Sequence, residues 1–274
     1  MTETSQRLVA CLERLYERYN RRELIHPDPL EFLWEYDDSR DREIVGLVAS
    51  GLAYGRVAQI LKSTQQVLKI LGSTPSQYLG SVTLSELSEA LSGFKHRFTT
   101  SSEMISFLGS LSNLQKERGL LGNIFEQLLE EMEYPQALDR FTEIVLENAG
   151  MEKCSLLPRP SRGSACKRLH LFMRWMVRSD DVDPGGWENV PASVLRVPVD
   201  VHMFRAARVL GFTRRKSADC KTAEEITESF RNVNPEDPVK YDFAITRMGI
   251  QGLEDHHLFK ELFQQCGCFI DPAD

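Results

Sequence analysis

Apolar residues recur at helical spacing along almost the whole chain, and this periodicity limits the possible folds more than any other feature. The first segment shows it in Leu8, Leu12 and Leu15, which share one face of a helix. The alternation of apolar and polar residues that is typical of strands is scarce. The sequence therefore predicts an all-α protein.

The same periodicity predicts further helices, and punctuation residues support their ends. Gly72 and Gly211 each follow a helical pattern, and Asn234-Pro235 precedes another. The predicted helices cover roughly 8–19, 44–52, 56–71, 102–115, 121–132, 135–149, 164–178, 201–210, 222–232, 239–249 and 256–265.

Length and composition fit a folded protein without a membrane span. The 274 residues are 42% hydrophobic and 27% charged, enough for one core or for two closely packed helical lobes. The N-terminus lacks a signal-peptide pattern and no apolar run is long enough to cross a membrane, which predicts a cytoplasmic protein. The six cysteines show no CxxC spacing, so reduced thiols are expected, and Cys266 with Cys268 is too small a set for a metal site.

Positive charge is concentrated in two stretches of an acidic chain. The formal net charge is −7, yet Lys153–Arg178 carries seven positive residues and 201–218 carries five, with no acidic residue in either stretch. This distribution indicates a local phosphate-binding face on an acidic body. The alternative is that these side chains pair with acidic neighbours in the fold.

Asp200 stands where an extended run ends and a helical pattern begins, so it is predicted to be an N-cap. Capping alone would account for an aspartate at this position. The functional interpretation is that the positive end of the helix keeps the carboxylate ionised, and that a fixed anion stabilises a developing cation. A sugar that loses its base becomes such an oxocarbenium-like cation.

Lys167 falls in the first turn of the helix predicted at 164–178, next to Arg168. The helix dipole and the neighbouring guanidinium both favour the neutral amine. A neutral amine is the form that attacks in Schiff-base chemistry. The alternative is a surface lysine that contacts a phosphate or solvent.

The segment Val-Pro-Val-Asp-Val-His-Met-Phe at 197–204, followed by Arg205 and a Leu210-Gly211 helix end, resembles a known family. It is similar to the catalytic-aspartate segment of the helix-hairpin-helix DNA glycosylase superfamily, and VPVDVHM is especially similar to 8-oxoguanine DNA glycosylases. In that family the aspartate follows a helix that begins with the catalytic lysine, a position that Lys167 fits. The separation of 33 residues between Lys167 and Asp200 resembles the archaeal branch.

The resemblance implies a helix-hairpin-helix glycosylase-like fold, with two closely packed helical lobes and a cleft between them. The chain would form one helical unit over 1–274, with the catalytic segment at about 156–250. The implied activity is removal of an oxidised purine, best matched by 8-oxoguanine, with Lys167 forming a Schiff base before strand scission and Asp200 stabilising the charged sugar. The implied partner is double-stranded DNA containing a damaged base, which places the protein at the nucleoid. No cofactor is expected, and the absence of the family's cysteine cluster predicts that there is no iron–sulfur cluster.

The resemblance also assigns residues around the lesion. Residues 44–57 are similar to the family's early helix and DNA-facing turn. This similarity places Leu52, Tyr54 and Arg56 at the opened duplex, and the alternative is that they are core and helix-end residues. His202 is expected to be a positioning residue. Trp187, on a Gly-Gly turn, is the first choice for stacking on a flipped base. The expected phosphate contacts are Arg159, Arg162, Arg168 and Arg205.

Two departures leave other functions open. The family's hairpin turn is replaced by Leu157–Gly163, which passes the phosphate role to Arg159 and Arg162 and favours an alternative, a non-catalytic module that binds DNA or RNA structure. A further alternative is a metal-assisted phosphodiesterase that uses Asp180, Asp181 and Asp183. The segments 174–187 and 237–249 are also similar to a bacterial family of conserved proteins of unknown function, and that similarity covers most of the chain.

Overall fold

The computed structural model describes residues 3–251, so the helix predicted at 256–265 and the pair Cys266 and Cys268 lie outside the described residues. The described chain is predominantly α-helical, as the periodicity predicts. Within it, no helix combines the length and the apolar character that crossing a membrane requires. The α-helices are α1 (Glu3–Tyr19), α2 (Ser39–Gly51), α3 (Val57–Leu71), α4 (Pro75–Ser81), α5 (Leu84–Ala90), α6 (Ser101–Arg118), α7 (Leu121–Glu131), α8 (Tyr134–Asn148), α9 (Lys167–Val177), α10 (Val201–Val209), α11 (Cys220–Val233) and α12 (Asp242–Gln251).

Short polar side chains begin several of these helices. Asp38, Thr100 and Asp219 each accept a hydrogen bond from a backbone N–H in the first turn of α2, α6 and α11. Thr83 and Glu86 form a reciprocal capping box at α5. These caps satisfy backbone donors that would otherwise lack partners, so they fix where each helix starts.

One small hairpin interrupts the helices. Strand β1 (Lys95–His96) pairs antiparallel with β2 (Thr99–Thr100), with His96 opposite Thr99. Arg97 and Phe98 form the two-residue turn, and Arg97 has a left-handed φ of 51°. Two-residue strands are too short to show an alternating pattern, which is why the sequence does not predict them.

The chain divides into two compact units built from non-contiguous segments. Within the described residues, unit 1 comprises 3–24, Gly163–His170 and 191–251, and unit 2 comprises Ile25–Arg162 and Leu171–Val190.

In unit 1, α12 packs against both α1 and α10. Leu12, Ile226 and Phe230 are among its fully buried side chains. Lys240 donates to both carboxylate oxygens of Glu13, at 2.7 and 2.9 Å, and the Tyr241 hydroxyl donates to Oε1 of Glu13 at 2.6 Å. These bonds attach α1 to the segment that leads into α12.

In unit 2, α6 contacts α2, α4, α5, α7 and α8, so it is the central helix of that unit. A buried ionic cluster lies in the same unit. Asp183, which is fully buried, accepts hydrogen bonds from Arg174 at 3.1 Å and from Arg178 at 3.0 Å.

Candidate functional site

Asp200 is held at the end of a buried extended segment in unit 1. Val197, Pro198 and Val199 are buried, and the Val197 N–H donates to the Thr227 hydroxyl of α11 at 3.0 Å. The chain then enters α10 with Asp200 as its N-cap, and Oδ1 accepts from the Met203 N–H at 2.8 Å. The predicted cap is confirmed, and capping leaves Oδ2 unused.

Lys167 is the first residue of α9 and follows a strained turn. Cys166, which is buried, has a left-handed φ of 45°, a conformation that costs a non-glycine residue about 1–3 kcal/mol. Its N–H donates to the Ser164 hydroxyl at 3.2 Å, and its carbonyl accepts from the His170 N–H at 3.0 Å. The turn therefore fixes the direction in which α9 leaves, and with it the starting point of the Lys167 side chain.

The Lys167 ammonium and the Asp200 carboxylate meet, with 3.9 Å between Nζ and Oδ2. The Lys167 side chain is 38% exposed and that of Asp200 is 16% exposed. This distance exceeds that of a direct hydrogen bond, and a half-exposed ion pair contributes little to stability. The Oδ1 atom of Asp200 thus caps α10, while its Oδ2 atom faces the Lys167 amine, which is accessible from solvent.

His170 lies one helical turn after Lys167 in α9, and the sequence interpretation missed it. It is buried, and burial together with the nearby charge of Arg196 lowers the pKa of its imidazole to about 3. The ring is therefore neutral at physiological pH. The i, i+3 spacing from Lys167 is the signal that could have identified it.

The other expected residues of unit 1 lie on the same two helices. His202 is in the first turn of α10, and a Cβ built on Gly249 of α12 would lie 3.2 Å from its Cβ and Nδ1. It therefore packs closely against α12. Arg168 is half-buried in the first turn of α9, and Arg205 is exposed on α10.

The two positive stretches separate into paired and unpaired side chains. Arg174 and Arg178 belong to the Asp183 cluster, and Arg215 bonds Asp219 at 2.8 Å, so the alternative of structural pairing is correct for these three. Within residues 3–251, six side chains of the stretches form neither a hydrogen bond nor an ion pair. They are Lys153, Arg162, Arg205, Arg208, Arg214 and Lys216.

Arg159 does not fit the expected phosphate role. Its guanidinium contacts the carboxylates of Asp139, at 3.3 Å, and Glu143. The Ser161 N–H also donates to Asp139, at 3.0 Å. The charge of Arg159 is therefore compensated by α8, and the residue anchors the turn at Pro160–Arg162 instead of a phosphate.

Tyr54 and Arg56 lie in unit 2, in the turn between α2 and α3. The Tyr54 hydroxyl donates to the His96 carbonyl at 2.8 Å and is 2.7 Å from the Thr99 hydroxyl. Arg56 is exposed at the N-cap position of α3. Tyr54 therefore supports the β1–β2 hairpin, while Arg56 points its charge into solvent.

Trp187 is a core residue of unit 2, which contradicts its expected role on a flipped base. It is 3% exposed, stacks on Phe125 with 6.0 Å between ring centroids, and meets Phe172 edge-on at 5.1 Å. Its Nε1–H donates to Oε2 of Glu43 at 2.9 Å. No face of the indole is left for a base, because aromatic neighbours and a buried carboxylate use the whole ring.

The Asp180–Asp183 loop does not fit the metal-site alternative. Both carboxylate oxygens of Asp183 accept hydrogen bonds from arginines, Arg174 and Arg178. Asp180 accepts from Arg178 at 2.7 Å and from the Val182 N–H at 2.8 Å. Only Asp181 is exposed. In the described residues, no group of three or more histidine, cysteine, aspartate or glutamate side chains could hold a metal ion.

Comparison with known proteins gives one match. No curated protein and no solved structure matches the sequence. Residues 28–251, which include Lys167 and Asp200, match the model of a family described as a protein of unknown function (DUF2400). Because this match covers most of the chain, the protein belongs to the DUF2400 family.

Proposed function

We propose that this protein is a DNA base-excision glycosylase with AP-lyase activity, built on a helix-hairpin-helix type of fold. Its substrate is an oxidised purine in double-stranded DNA, with 8-oxoguanine as the best match. The observation that carries the proposal is the 3.9 Å approach of the Lys167 amine to the Asp200 carboxylate, at the starts of two helices of unit 1.

The chemistry assigns each group a step. The Lys167 ammonium first gives up a proton to water, and the resulting amine attacks the anomeric carbon of the damaged nucleotide. The bond from that carbon to the base breaks, and the proton that the attacking nitrogen then loses leaves with the base. The sugar becomes cationic as the base departs, and the carboxylate of Asp200 stabilises that charge. The sugar ring then opens as its oxygen takes up a proton, which gives a protonated imine between Lys167 and the anomeric carbon. Loss of a proton from the neighbouring C2′ carbon to water then expels the 3′ phosphate by β-elimination.

Local structure supports a prepared site more than an incidental ion pair. Backbone strain stored in a non-glycine residue persists only where its surroundings enforce it, and Cys166 stands directly before the attacking lysine. Asp200 is fixed by its cap, so its carboxylate needs no reorganisation when charge develops. The sequence pattern and the geometry therefore select the same two residues.

Binding to DNA draws on the unpaired positive side chains. Arg205, Arg208 and Arg214 belong to the 201–218 stretch and have no carboxylate partner in the described part of the chain. Contacts with phosphates release condensed counterions, so affinity should fall steeply with salt.

A second function, structure-specific binding of DNA or RNA without excision, is favoured by the connection between α8 and α9. This connection runs from residue 149 to residue 166 and includes the 3-10 turn Pro160–Arg162, in place of a tight hairpin. Arg159, which would have taken over the phosphate contact, is bound by two carboxylates. In this function Asp200 is only a cap.

Borohydride trapping separates the two functions. Wild type and Lys167→Gln are incubated with duplexes containing 8-oxoguanine, other oxidised bases or an abasic site, and borohydride reduces any imine to a stable adduct. Lys221→Gln is the matched control, because Lys221, like Lys167, lies in the first turn of a helix of unit 1. Its helix, α11, is capped by Asp219.

Trapping on an intact lesion duplex by wild type and Lys221→Gln, but not by Lys167→Gln, is the expected result. Trapping on the abasic duplex alone would contradict base excision, because exposed amines attack that aldehyde without a glycosylase. If wild type binds DNA in a salt-dependent manner but forms no adduct on any duplex, base excision is contradicted and the binding function is supported.

A further inference from the structure

Phe98 presents an aromatic ring to solvent at the tip of the β1–β2 hairpin in unit 2. It is 74% exposed, the largest exposure among the large hydrophobic side chains of residues 3–251. Leu84, Val57 and Val201 are the others in that part of the chain, so Phe98 is the exposed aromatic residue of the set.

The Phe98 ring lies parallel to the ring of Tyr54. The Tyr54 and Phe98 rings are parallel within 8°, with 6.4 Å between centroids, and His96 meets Tyr54 edge-on at 4.7 Å. The His96 ring is fixed in turn by the Ser63 hydroxyl at 2.9 Å and the Tyr54 carbonyl at 3.1 Å. The Tyr54 ring, which lies parallel to that of Phe98, is therefore itself held in place by hydrogen bonds.

Polar contacts anchor the hairpin to the rest of unit 2. The Thr99 hydroxyl is 2.6 Å from that of Ser155, and Ser155 Oγ donates to Glu103 at 2.9 Å. Arg97, the residue before Phe98, adopts a left-handed conformation that an arginine rarely takes. A two-residue hairpin turn requires a positive φ, and Arg97 provides it at the residue before Phe98.

Positive residues are concentrated in the two segments that carry Tyr54 and Phe98. The Arg97 guanidinium lies 5.6 Å from the Phe98 ring centroid, and a Cβ on Gly55 would be 3.1 Å from Nη1 of Arg97. Arg56 and Lys95 are exposed in the segments 54–59 and 95–100, and neither segment contains an acidic residue. In a chain of net charge −7, this is a local reversal of sign.

We propose that Phe98, which lies parallel to Tyr54 in two segments that also carry the exposed residues Arg56, Lys95 and Arg97, is a platform for an unstacked base of a DNA strand. A base stacks on the flat outer face of the Phe98 ring, and the flanking cations contact the phosphates on either side. A protein partner would require a wider apolar patch than one ring with a charged border. The platform does not depend on the chemistry of Lys167.

The test measures binding of fluorescein-labelled DNA by anisotropy. Three oligonucleotides are compared, namely a single strand, a duplex with one unpaired base and the fully paired duplex. Phe98→Leu keeps an apolar side chain but removes the stacking face, and Leu84→Ala is the matched control because Leu84 is 68% exposed elsewhere in unit 2. Circular dichroism establishes that each variant is folded.

Phe98→Leu is expected to raise the Kd of the single strand and of the unpaired-base duplex by about 5- to 100-fold, with a smaller change on the paired duplex. Leu84→Ala should bind as wild type does. Phe98→Trp should bind as wild type does and lose tryptophan emission on binding, because stacking on a base quenches an indole.

Equal Kd values for Phe98→Leu and wild type on all three oligonucleotides would overturn the platform, as would the same loss in Leu84→Ala. The outcome is separable from base excision. If trapping on the lesion duplex requires Lys167 but Phe98→Leu binds DNA as wild type does, the platform proposal is wrong and the glycosylase proposal stands. If Phe98→Leu binds DNA more weakly but wild type forms no borohydride-trapped adduct, the platform proposal stands and the glycosylase proposal is wrong.

Discussion

The indole N–H of Trp187 donates to Oε2 of Glu43 at 2.9 Å and joins two residues of unit 2 that are 144 positions apart. Glu43 also accepts from Gln115 Nε2 at 2.7 Å and from the Leu121 N–H at 2.8 and 2.9 Å. Burial raises the pKa of the Glu43 carboxyl to about 7 in spite of these donors. Unit 2 thus contains a carboxyl group that titrates near neutral pH.

Glu43→Gln is expected to remove part of the pH dependence of unfolding. The carboxyl has a pKa of 4.5 in the unfolded chain and about 7 in the fold, so the folded protein binds more protons between these values. The free energy of unfolding of wild type should therefore fall as pH rises from about 4.5 to about 7, by at most about 3 kcal/mol from this group. Glu43→Gln should show a flatter profile.

The measurement is urea unfolding at several pH values, followed by tryptophan fluorescence. All three tryptophans, Trp34, Trp175 and Trp187, lie in unit 2 and report on its unfolding. Asp183, with its pKa raised to about 6 by burial, adds a slope of the same sign, so the difference between variant and wild type is the quantity to compare. Glu130→Gln, an exposed change on α7, should keep the wild-type slope; a Glu43→Gln profile as steep as wild type would contradict this assignment.

Gly122→Ala is expected to destabilise unit 2 by about 1–3 kcal/mol, although alanine is the better helix former. A Cβ at Gly122 would lie 2.7 Å from Cδ1 and 2.8 Å from Cγ of Trp187. The indole cannot move aside without losing its bond to Glu43 and its packing on Phe125. Urea unfolding of the variant measures the effect.

Gly109→Ala in α6 is the matched control for Gly122→Ala. Its Cβ would be 3.8 Å from Leu84 Cδ2, an ordinary contact, so helix propensity should make this variant more stable by up to about 1 kcal/mol. Stabilisation by both substitutions would show that Trp187 is not fixed.

The sequence predicts what depends on neighbouring residues. The helical periodicity, the position of Lys167 in the first turn of a helix and the N-cap at Asp200 follow from local patterns, and the structure has all three. The short helices α4 and α5 offer too few turns for a periodic signal, so the sequence does not predict them.

Contacts between residues that are far apart in the sequence cannot be predicted from such local patterns. Trp187 on its Gly-Gly turn has the composition of an exposed loop, yet Glu43 and Phe125 from other parts of unit 2 cover it. Arg159 likewise lies in a run without acids and is neutralised by Asp139 of α8. Charge along the chain indicates where positive residues are, whereas only the fold determines which of them are compensated.

Arg205→Ala and Arg214→Ala are expected to weaken DNA binding without changing the preference for a lesion. Each side chain is exposed and lacks a carboxylate partner in residues 3–251. A phosphate contact contributes about 0.9 to the slope of log K against log salt concentration, so each variant should lower the slope by about 1. Arg140→Ala is the control, because Arg140 already pairs with Glu143 and Glu147; an equal loss of slope there would show that the effect is one of net charge alone.

Asp200→Asn separates the cap from the chemistry. Asparagine caps helices as well as aspartate does, and its Oδ1 can still accept from the Met203 N–H, so the free energy of unfolding should change by less than about 0.5 kcal/mol. The negative charge that faces Lys167 is lost, and the rate of borohydride-trapped adduct formation should fall by about 100- to 1,000-fold.

The control for Asp200→Asn is Asp38→Asn at the N-cap of α2, which should change neither stability nor trapping. Thermal unfolding followed by circular dichroism reports on the helices, and trapping on the lesion duplex reports on the site. Trapping at the wild-type rate by Asp200→Asn, with no trapping by Lys167→Gln, would leave Asp200 as a cap alone. A group other than Asp200 would then have to stabilise the charged sugar as the base departs.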